Sequence, residues 1–155
     1  MRTIDWADGA IELIDQTLLP HTIEMRRVTT LDDLIEDIQR LAVRGAPALG
    51  VAGALGVALI AAPVIGIVAR RPAALLRGAR PAAVNLSWGV DRALTVLEQG
   101  ADAVLTEALN IRDEDIAACI SMGQYGAELA RELVDREKLR IMTICNTGGL
   151  ATVER

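Results

Sequence analysis

Two short segments near the start of the chain alternate between apolar and polar residues. Thr3–Trp6 and Ala10–Ile14 flank Asp8-Gly9, a dipeptide that is typical of a two-residue hairpin turn. A third alternating segment, His21–Val28, follows a proline. Because so small a sheet needs other elements to cover it, we expect three antiparallel strands with helices packed on them.

The next part of the chain has helical spacing. The clearest amphipathic helix begins after Thr30, with apolar residues at 31, 34, 35, 38, 41 and 42. No charged residue occurs from Ala46 to Ala69. Pro47 suits the first turn of a helix there, and Pro63 should end that helix after about four turns. Its glycines recur every three residues and predict close approach of another backbone. We expect a buried central helix and not a membrane span, because Gly and Ala are weakly hydrophobic.

Further helices are predicted in the second half of the chain. One is capped by Asn85 or Ser87 and buries its apolar face. A second covers about residues 101–109, and a third runs from about 113 to 135. The third has an apolar stripe from Ile116 to Leu133, which we expect to be buried.

The pattern changes near the end of the chain. Leu139–Cys145 is a short apolar segment of β-prone residues, followed by Asn146-Thr147-Gly148-Gly149 and then residues 150–154, which could open a helix. Strand, glycine-rich turn and helix commonly begin an α/β phosphate-binding domain. The sequence predicts a mainly helical α+β fold with a domain over residues 1–137. Residues 138–155 would start a second domain whose remainder lies outside the chain.

Composition narrows the possible functions. Hydrophobic residues make up 52% of the chain but aromatic residues only 2%, so Ala, Val, Leu and Ile must form the core. The net charge of −5 argues against nucleic-acid binding, which usually needs a basic surface. Cys119 and Cys145 have no metal-ligand spacing, and we expect Cys119 to be a buried apolar residue. Free thiols without a signal peptide indicate the cytoplasm.

Cys145 is the most informative candidate for chemistry. A cysteine at the carboxyl end of a strand occupies the usual ligand position of an open α/β sheet. Backbone N–H groups in the following turn would favour a bound anion and a thiolate. Cys145 is therefore a candidate acid/base group or nucleophile. The alternative is a buried cysteine at a strand end before an ordinary turn.

Two arginines precede predicted helix starts. Arg44 is followed by Gly45-Ala46-Pro47, which places a guanidinium beside free helix amides and suits a phosphate group. Alternatively, Arg44 only caps the C-terminus of its own helix. Arg80 stands before the helix that Asn85 caps, and the residues alone favour a surface arginine there.

Four segments in this order resemble the methylthioribose-1-phosphate isomerase family: 15–27 (DQTLLPHTIEMRR), 43–50 (VRGAPALG), 80–92 (RPAAVNLSWGVDR) and 141–152 (IMTICNTGGLAT). The family also contains ribose-1,5-bisphosphate and 5-deoxyribose-1-phosphate isomerases. Its non-catalytic relatives are regulatory subunits of a eukaryotic translation-initiation exchange factor. The resemblance implies a small N-terminal domain joined to a larger Rossmann-like domain.

The resemblance also implies an activity and a site. The activity is aldose–ketose isomerisation of a pentose 1-phosphate, 5-methylthioribose 1-phosphate to its ribulose isomer, in methionine salvage. Cys145 matches the catalytic cysteine, Arg44, Gly45 and Ala46 match the phosphate-contacting segment, and Arg80 matches a second substrate arginine. No metal or nicotinamide is required in the family.

Two features depart from the family pattern. Ile144 stands where family members commonly have His, and the aspartate that partners the cysteine belongs to the Rossmann-like domain, outside this chain. We therefore expect the 155 residues alone to be inactive. The alternative is a regulatory or sugar-phosphate-binding module without catalysis. Family members often dimerise, so a homo-oligomer is an open expectation.

Overall fold

The computed structural model describes residues 1–63, 66–134 and 138–154. In these residues a three-stranded antiparallel sheet precedes five α-helices, which confirms the predicted α+β, mainly helical class. The strands are β1 (Ile4–Ala7), β2 (Ala10–Ile14) and β3 (Met25–Val28). The helices are α1 (Leu31–Gln39), α2 (Ala46–Ala61), α3 (Arg70–Gly78), α4 (Val84–Leu94) and α5 (Ala101–Leu133), with short 3-10 helices at Gly66–Ala69 and Leu97–Gln99.

The sheet has the order β1-β2-β3, and the predicted hairpin turn is confirmed. Asp8 and Gly9 both have positive φ, at 47° and 77°, as a tight turn between twisted strands requires. The third strand is shorter than predicted. The Leu18 carbonyl accepts hydrogen bonds from the amides of His21 and Thr22, so this part of the chain forms a turn before β3 begins.

Helix α2 forms the centre of the fold. Every residue from Ala48 to Ala61 is buried, and the helix packs on α1, α3, α4, α5 and the sheet. The glycines allow the close approach predicted from their spacing: a Cβ on Gly89 of α4 would lie 2.0 Å from the Gly50 carbonyl oxygen. Within the described ranges, no helix is both long enough and apolar enough to cross a membrane.

The predicted cap of α4 is wrong. The helix begins after Ala83 without a side-chain cap, and Asn85 already lies in its first turn. The Ser87 hydroxyl donates to the Val84 carbonyl instead of accepting from the backbone. The Arg80 carbonyl accepts from the Ala83 amide at 2.9 Å, so a backbone turn leads into the helix.

Helix α5 replaces the two helices predicted after residue 100. Asn110 to Asp113 contains neither Gly nor Pro, so nothing in the backbone interrupts the helix there. Its first half buries Val104, Ala108 and Ile111. The stripe predicted as buried in its second half is wrong: Leu133 is 73% exposed, and Cys119 is only half-buried.

The last segment differs most from its prediction. Residues 139–145 are exposed and pair with no strand, because no second sheet lies in the described part of the chain to provide a backbone partner. Residues 150–153 form turns and bends in place of a helix. Ala151 and Val153 nevertheless return to the core and are buried. Residues 151–153 are therefore anchored to the core, while residues 139–145 are exposed.

Candidate functional site

A cleft of about 430 Å³ lies beside the N-terminus of α2. Its walls come from the start of α2, the turn before α4 and the segment that begins at Cys145. All five site residues predicted from the sequence line this cleft together with two asparagines: Arg44, Gly45, Ala46, Arg80, Cys145, Asn85 and Asn146. Residues distant in the sequence therefore meet at one place on the surface.

The two arginines of the cleft are not held by carboxylates. Arg44 donates from Nη2 to the Gln16 carbonyl oxygen at 3.0 Å. It does not cap α1, since that helix ends at Gln39 with Arg40 in the C-cap position. Arg80 is half-buried, and neither arginine forms an ion pair with any acidic residue in the described ranges. Two guanidinium groups thus remain available to an anion.

The start of α2 limits which backbone amides an anion can reach. Gly45 has φ 97°, and a Cβ there would lie 2.3 Å from the Ala151 carbonyl oxygen, so only glycine fits. The same carbonyl accepts from the Ala48 amide at 3.2 Å. Pro47 has no N–H group. The amides of Gly45 and Ala46 are therefore the donors of this helix start that face no competing carbonyl in the described residues.

Cys145 lies in an exposed bend at the edge of the cleft. Its φ of 71° is left-handed, which is uncommon for a residue with a side chain. A residue stays in such a conformation only when the surrounding structure holds it, and residues of this kind cluster at functional sites. The alternative of a buried strand-end cysteine is wrong, since the thiol-bearing residue is exposed and not in a strand.

Two N-terminal side chains hold the backbone that follows Cys145. The Thr3 hydroxyl donates to the Gly149 carbonyl. Gln16 donates from Nε2 to the Leu150 carbonyl oxygen at 2.8 Å. Gln16 was not predicted as a site residue; the signal that could have found it is its place in the segment DQTLLP, within the resemblance.

Helix α5 holds the same segment from the other side. The Asp115 carboxylate accepts from the Val153 amide at 3.0 Å. Burial raises the pKa of Asp115, and the Val153 hydrogen bond offsets this only in part. Burial and the charge of Asp115 also raise the pKa of the Cys119 thiol. Cys119 is therefore a poor nucleophile compared with an exposed cysteine of ordinary acidity.

An ion-pair network includes Asp15, the residue before the Gln16 carbonyl that Arg44 contacts. Arg40 Nη2 lies 2.6 Å from an oxygen of Asp15 and 2.6 Å from an oxygen of Asp37. Arg26 also pairs with Asp37, at 3.0 Å. Burial opposes ionisation of Asp15, but hydrogen bonds from Arg40 and Thr17 outweigh it and lower the pKa of Asp15 to about 2. The Asp15 carboxylate therefore stays charged and paired at neutral pH.

The charges of the cleft suit an anion and not a cation. Two guanidinium groups and helix-start amides line it, and among the described residues no carboxylate does. Across the described ranges, no group of three His, Cys, Asp or Glu side chains is placed to hold a metal ion.

Sequence comparison identifies the family. Residues 42–154 match the profile described as the initiation factor 2 subunit family. The chain belongs to this family. The matched range contains every predicted site residue but not Gln16.

Curated relatives are about two fifths identical to this chain over the aligned residues. Methylthioribose-1-phosphate isomerase of Methylorubrum extorquens is 41% identical, over 96% of this chain and 43% of the relative. The 5-deoxyribose 1-phosphate isomerase of Moorella thermoacetica is 42% identical, over 96% of this chain and 45% of the relative. The chain thus spans less than half the length of either relative.

Two solved structures share the fold. The 5-methylthioribose 1-phosphate isomerase of Pyrococcus horikoshii OT3 has a TM-score of 0.85 and 32% identity, covering 99% of this chain and 46% of that one. The translation initiation factor eIF-2B subunit delta of A. fulgidus has a TM-score of 0.84 and 38% identity, covering 99% and 47%. The fold is therefore common to proteins named as an isomerase and as an initiation factor.

Proposed function

We propose that this chain supplies the phosphate-binding groups and the cysteine of an aldose–ketose isomerase that acts on a pentose 1-phosphate. The observation that carries the proposal is the cleft itself, where Arg44, Arg80 and the α2 amides lie beside Cys145. The specific reaction proposed is 5-methylthioribose 1-phosphate to 5-methylthioribulose 1-phosphate.

The phosphate would bind at the α2 end of the cleft. Arg44 and Arg80 offer forked donors that match phosphate oxygens, and the Gly45 and Ala46 amides add the positive end of the helix. Because the described residues that line the cleft include no acidic side chain, the phosphate would meet no charge repulsion from them. With the C1 phosphate bound at this end, the carbon atoms of the sugar would lie toward Cys145.

The reaction explains why a thiol is useful beside the phosphate. A phosphate on C1 locks the sugar ring, so an acid must protonate the ring oxygen as its bond to C1 breaks. The opened sugar then loses its C2 proton to give an enol, C1 gains a proton, and the C2 hydroxyl loses its proton as the ketone forms, so that two protons are gained, two are lost and the electrons balance. We assign Cys145 as one acid/base group of this sequence. A second such group would come from outside the residues that line the cleft.

The test is turnover by the protein expressed from the whole reading frame. Wild-type protein should convert 5-methylthioribose 1-phosphate to the ketose, followed by NMR, faster than 5-deoxyribose 1-phosphate. Cys145→Ser should lower kcat by about 100-fold or more, the scale of a lost general acid/base. Cys119→Ser is the matched control, because its thiol lies on α5 and does not line the cleft; it should keep kcat.

Two results would contradict the proposal. One is the absence of turnover on either sugar phosphate, and the other is full activity of Cys145→Ser. The 155-residue chain alone should bind pentose 1-phosphate without converting it, since none of the described residues that line the cleft is assigned as the second acid/base group.

A regulatory module is the second candidate. It is favoured by the near-equal similarity to the eIF-2B delta subunit of A. fulgidus, with a TM-score of 0.84 against 0.85 for the isomerase. Unchanged pentose 1-phosphate binding after Cys145→Ser, with no turnover in any form, would support it.

We also propose a cytoplasmic location and a second domain that begins near residue 138. Both described cysteines are free thiols, which fits a reducing compartment.

A further inference from the structure

Gln16 contacts Arg44, which lines the cleft, and Leu150, which follows the cleft residues Cys145 and Asn146. It follows β2, and only 1% of its surface is exposed. Its backbone carbonyl accepts from Arg44 Nη2 at 3.0 Å, and its side-chain Nε2 donates to the Leu150 carbonyl oxygen at 2.8 Å. Its own amide donates to the Ala42 carbonyl at 3.0 Å. One buried residue therefore connects the phosphate-binding arginine with the segment that follows Cys145.

The Leu150 carbonyl sets the orientation of the Gln16 amide. Only the NH₂ group can donate to a carbonyl, and the reverse orientation would face two oxygens toward each other. Oε1 is consequently buried without a hydrogen-bond partner among the described residues. A buried acceptor without a partner is unfavourable for folding, whereas an apolar side chain of similar length would have no such atom. Fold stability alone therefore does not explain an amide at this position.

The neighbours of Gln16 fix its backbone. Asp15 accepts from Arg40 Nη2 and from the Thr17 hydroxyl, both at 2.6 Å. It also accepts from the Thr17 amide at 3.0 Å. These bonds hold the chain on either side of Gln16 whether or not a ligand is bound, so its carbonyl and its side chain point in set directions.

We propose that Gln16 is a positioning residue for the isomerase reaction, whose side chain holds the segment after Cys145 at the phosphate end of the cleft. This inference rests on the proposed function. The backbone carbonyl orients Arg44, and the side-chain amide fixes Leu150 and the turn before it. Together with the Thr3 and Asp115 contacts, Gln16 then helps to set the distance between bound phosphate and the Cys145 thiol.

The two contacts of Gln16 act on different steps, which makes the inference testable. In Gln16→Met the backbone carbonyl still accepts from Arg44, so phosphate binding should persist. The side-chain donor and the unpartnered Oε1 are both removed, so the melting temperature should change little. We expect kcat for 5-methylthioribose 1-phosphate to fall by about 10- to 100-fold, the scale of a small misplacement of a reacting group. KM should change by less than about threefold.

A second measurement does not depend on turnover. Amide hydrogen exchange of residues 149–153, read by mass spectrometry, should be at least about fivefold faster in Gln16→Met, because Leu150 loses a donor that holds this segment. The matched control is Gln99→Met, the same change at an exposed glutamine of the 3-10 helix Leu97–Gln99. It should leave exchange, kcat and KM unchanged.

The outcomes separate this inference from the proposed function. Unchanged exchange, or unchanged kcat in an active protein, would overturn the positioning role. A fall in the melting temperature together with parallel changes in kcat and KM would also overturn it, since that pattern indicates only a structural role. If the wild-type protein shows no turnover, the proposed function fails, and the exchange rates still decide whether Gln16 holds the segment.

Discussion

Arg40 and Arg44 are close neighbours in the chain, but their surroundings differ completely. Arg40 lies within 2.6 Å of oxygens of both Asp15 and Asp37, two buried carboxylates. Arg44 is exposed and has only a backbone carbonyl as its partner in the described structure. The Arg40 guanidinium neutralises two buried carboxylates. The Arg44 guanidinium has no carboxylate partner among the described residues and can therefore bind an anionic ligand.

The difference shows how a paired arginine can stabilise the backbone that orients a neighbouring, unpaired arginine for binding. A carboxylate beside Arg44 would compete with a bound phosphate, and none lines its cleft in the part of the chain that the structure describes. The network of Arg40 instead holds the backbone of residues 15–17, whose carbonyl at Gln16 orients Arg44. The paired arginine should therefore matter for stability and the unpaired one for binding.

Arg40→Ala should have the largest effect on stability. It leaves Asp15 and Asp37 with side chains only 6% and 0% exposed and removes their shared partner. Breaking a buried ion pair in this way costs about 3–5 kcal/mol. Urea unfolding followed by circular dichroism should show a loss of that size, with Arg26→Ala, a partner of Asp37 alone, losing less. Equal losses for the two variants would show that Arg40 does not hold the network together.

Acid should weaken the same network. Because the folded pKa of Asp15 is about 2 against an ordinary value of 3.8, its ionised form stabilises the fold above about pH 4. That contribution, about 2 kcal/mol, should be lost as the pH falls from about 4 to about 2. Unfolding free energies at intervals across this range, compared between wild type and Asp15→Asn, would measure it. A wild-type acid transition that survives unchanged in the variant would assign the loss to other carboxylates.

The sequence predicted the parts of the fold that depend on local signals. Asp8-Gly9 specified the hairpin, the spacing after Thr30 specified α1, and Pro47 marked the start of α2. Each signal acts within a few residues, so no tertiary information was needed. The five cleft residues came from local motifs and the family resemblance together, and their meeting in one cleft agrees with that resemblance.

The sequence did not predict features that depend on distant contacts. The hydrogen bond from Gln16 to Leu150 joins residues 134 positions apart, and no spacing rule connects them. The strand predicted at 139–145 failed for a related reason, because a strand exists only beside another strand. The break predicted within α5 had no glycine or proline to cause it.

Arg44→Ala should have the smallest effect on stability and a clear effect on binding. An exposed side chain without an ion pair contributes within about 0.5 kcal/mol, so urea unfolding without ligand should match wild type. Phosphate at about ten times its Kd should stabilise the wild-type protein by about 1.4 kcal/mol. This stabilisation should largely disappear in Arg44→Ala.

A matched control separates the cleft from general charge. Arg77→Ala also removes an exposed arginine, one that pairs with Asp91 at 2.8 Å on the surface between α3 and α4. An exposed pair of this kind contributes little to stability, and its loss should leave the phosphate effect intact. If Arg77→Ala weakened phosphate stabilisation as much as Arg44→Ala, the effect would come from net charge, and the contrast between paired and unpaired arginines would not hold.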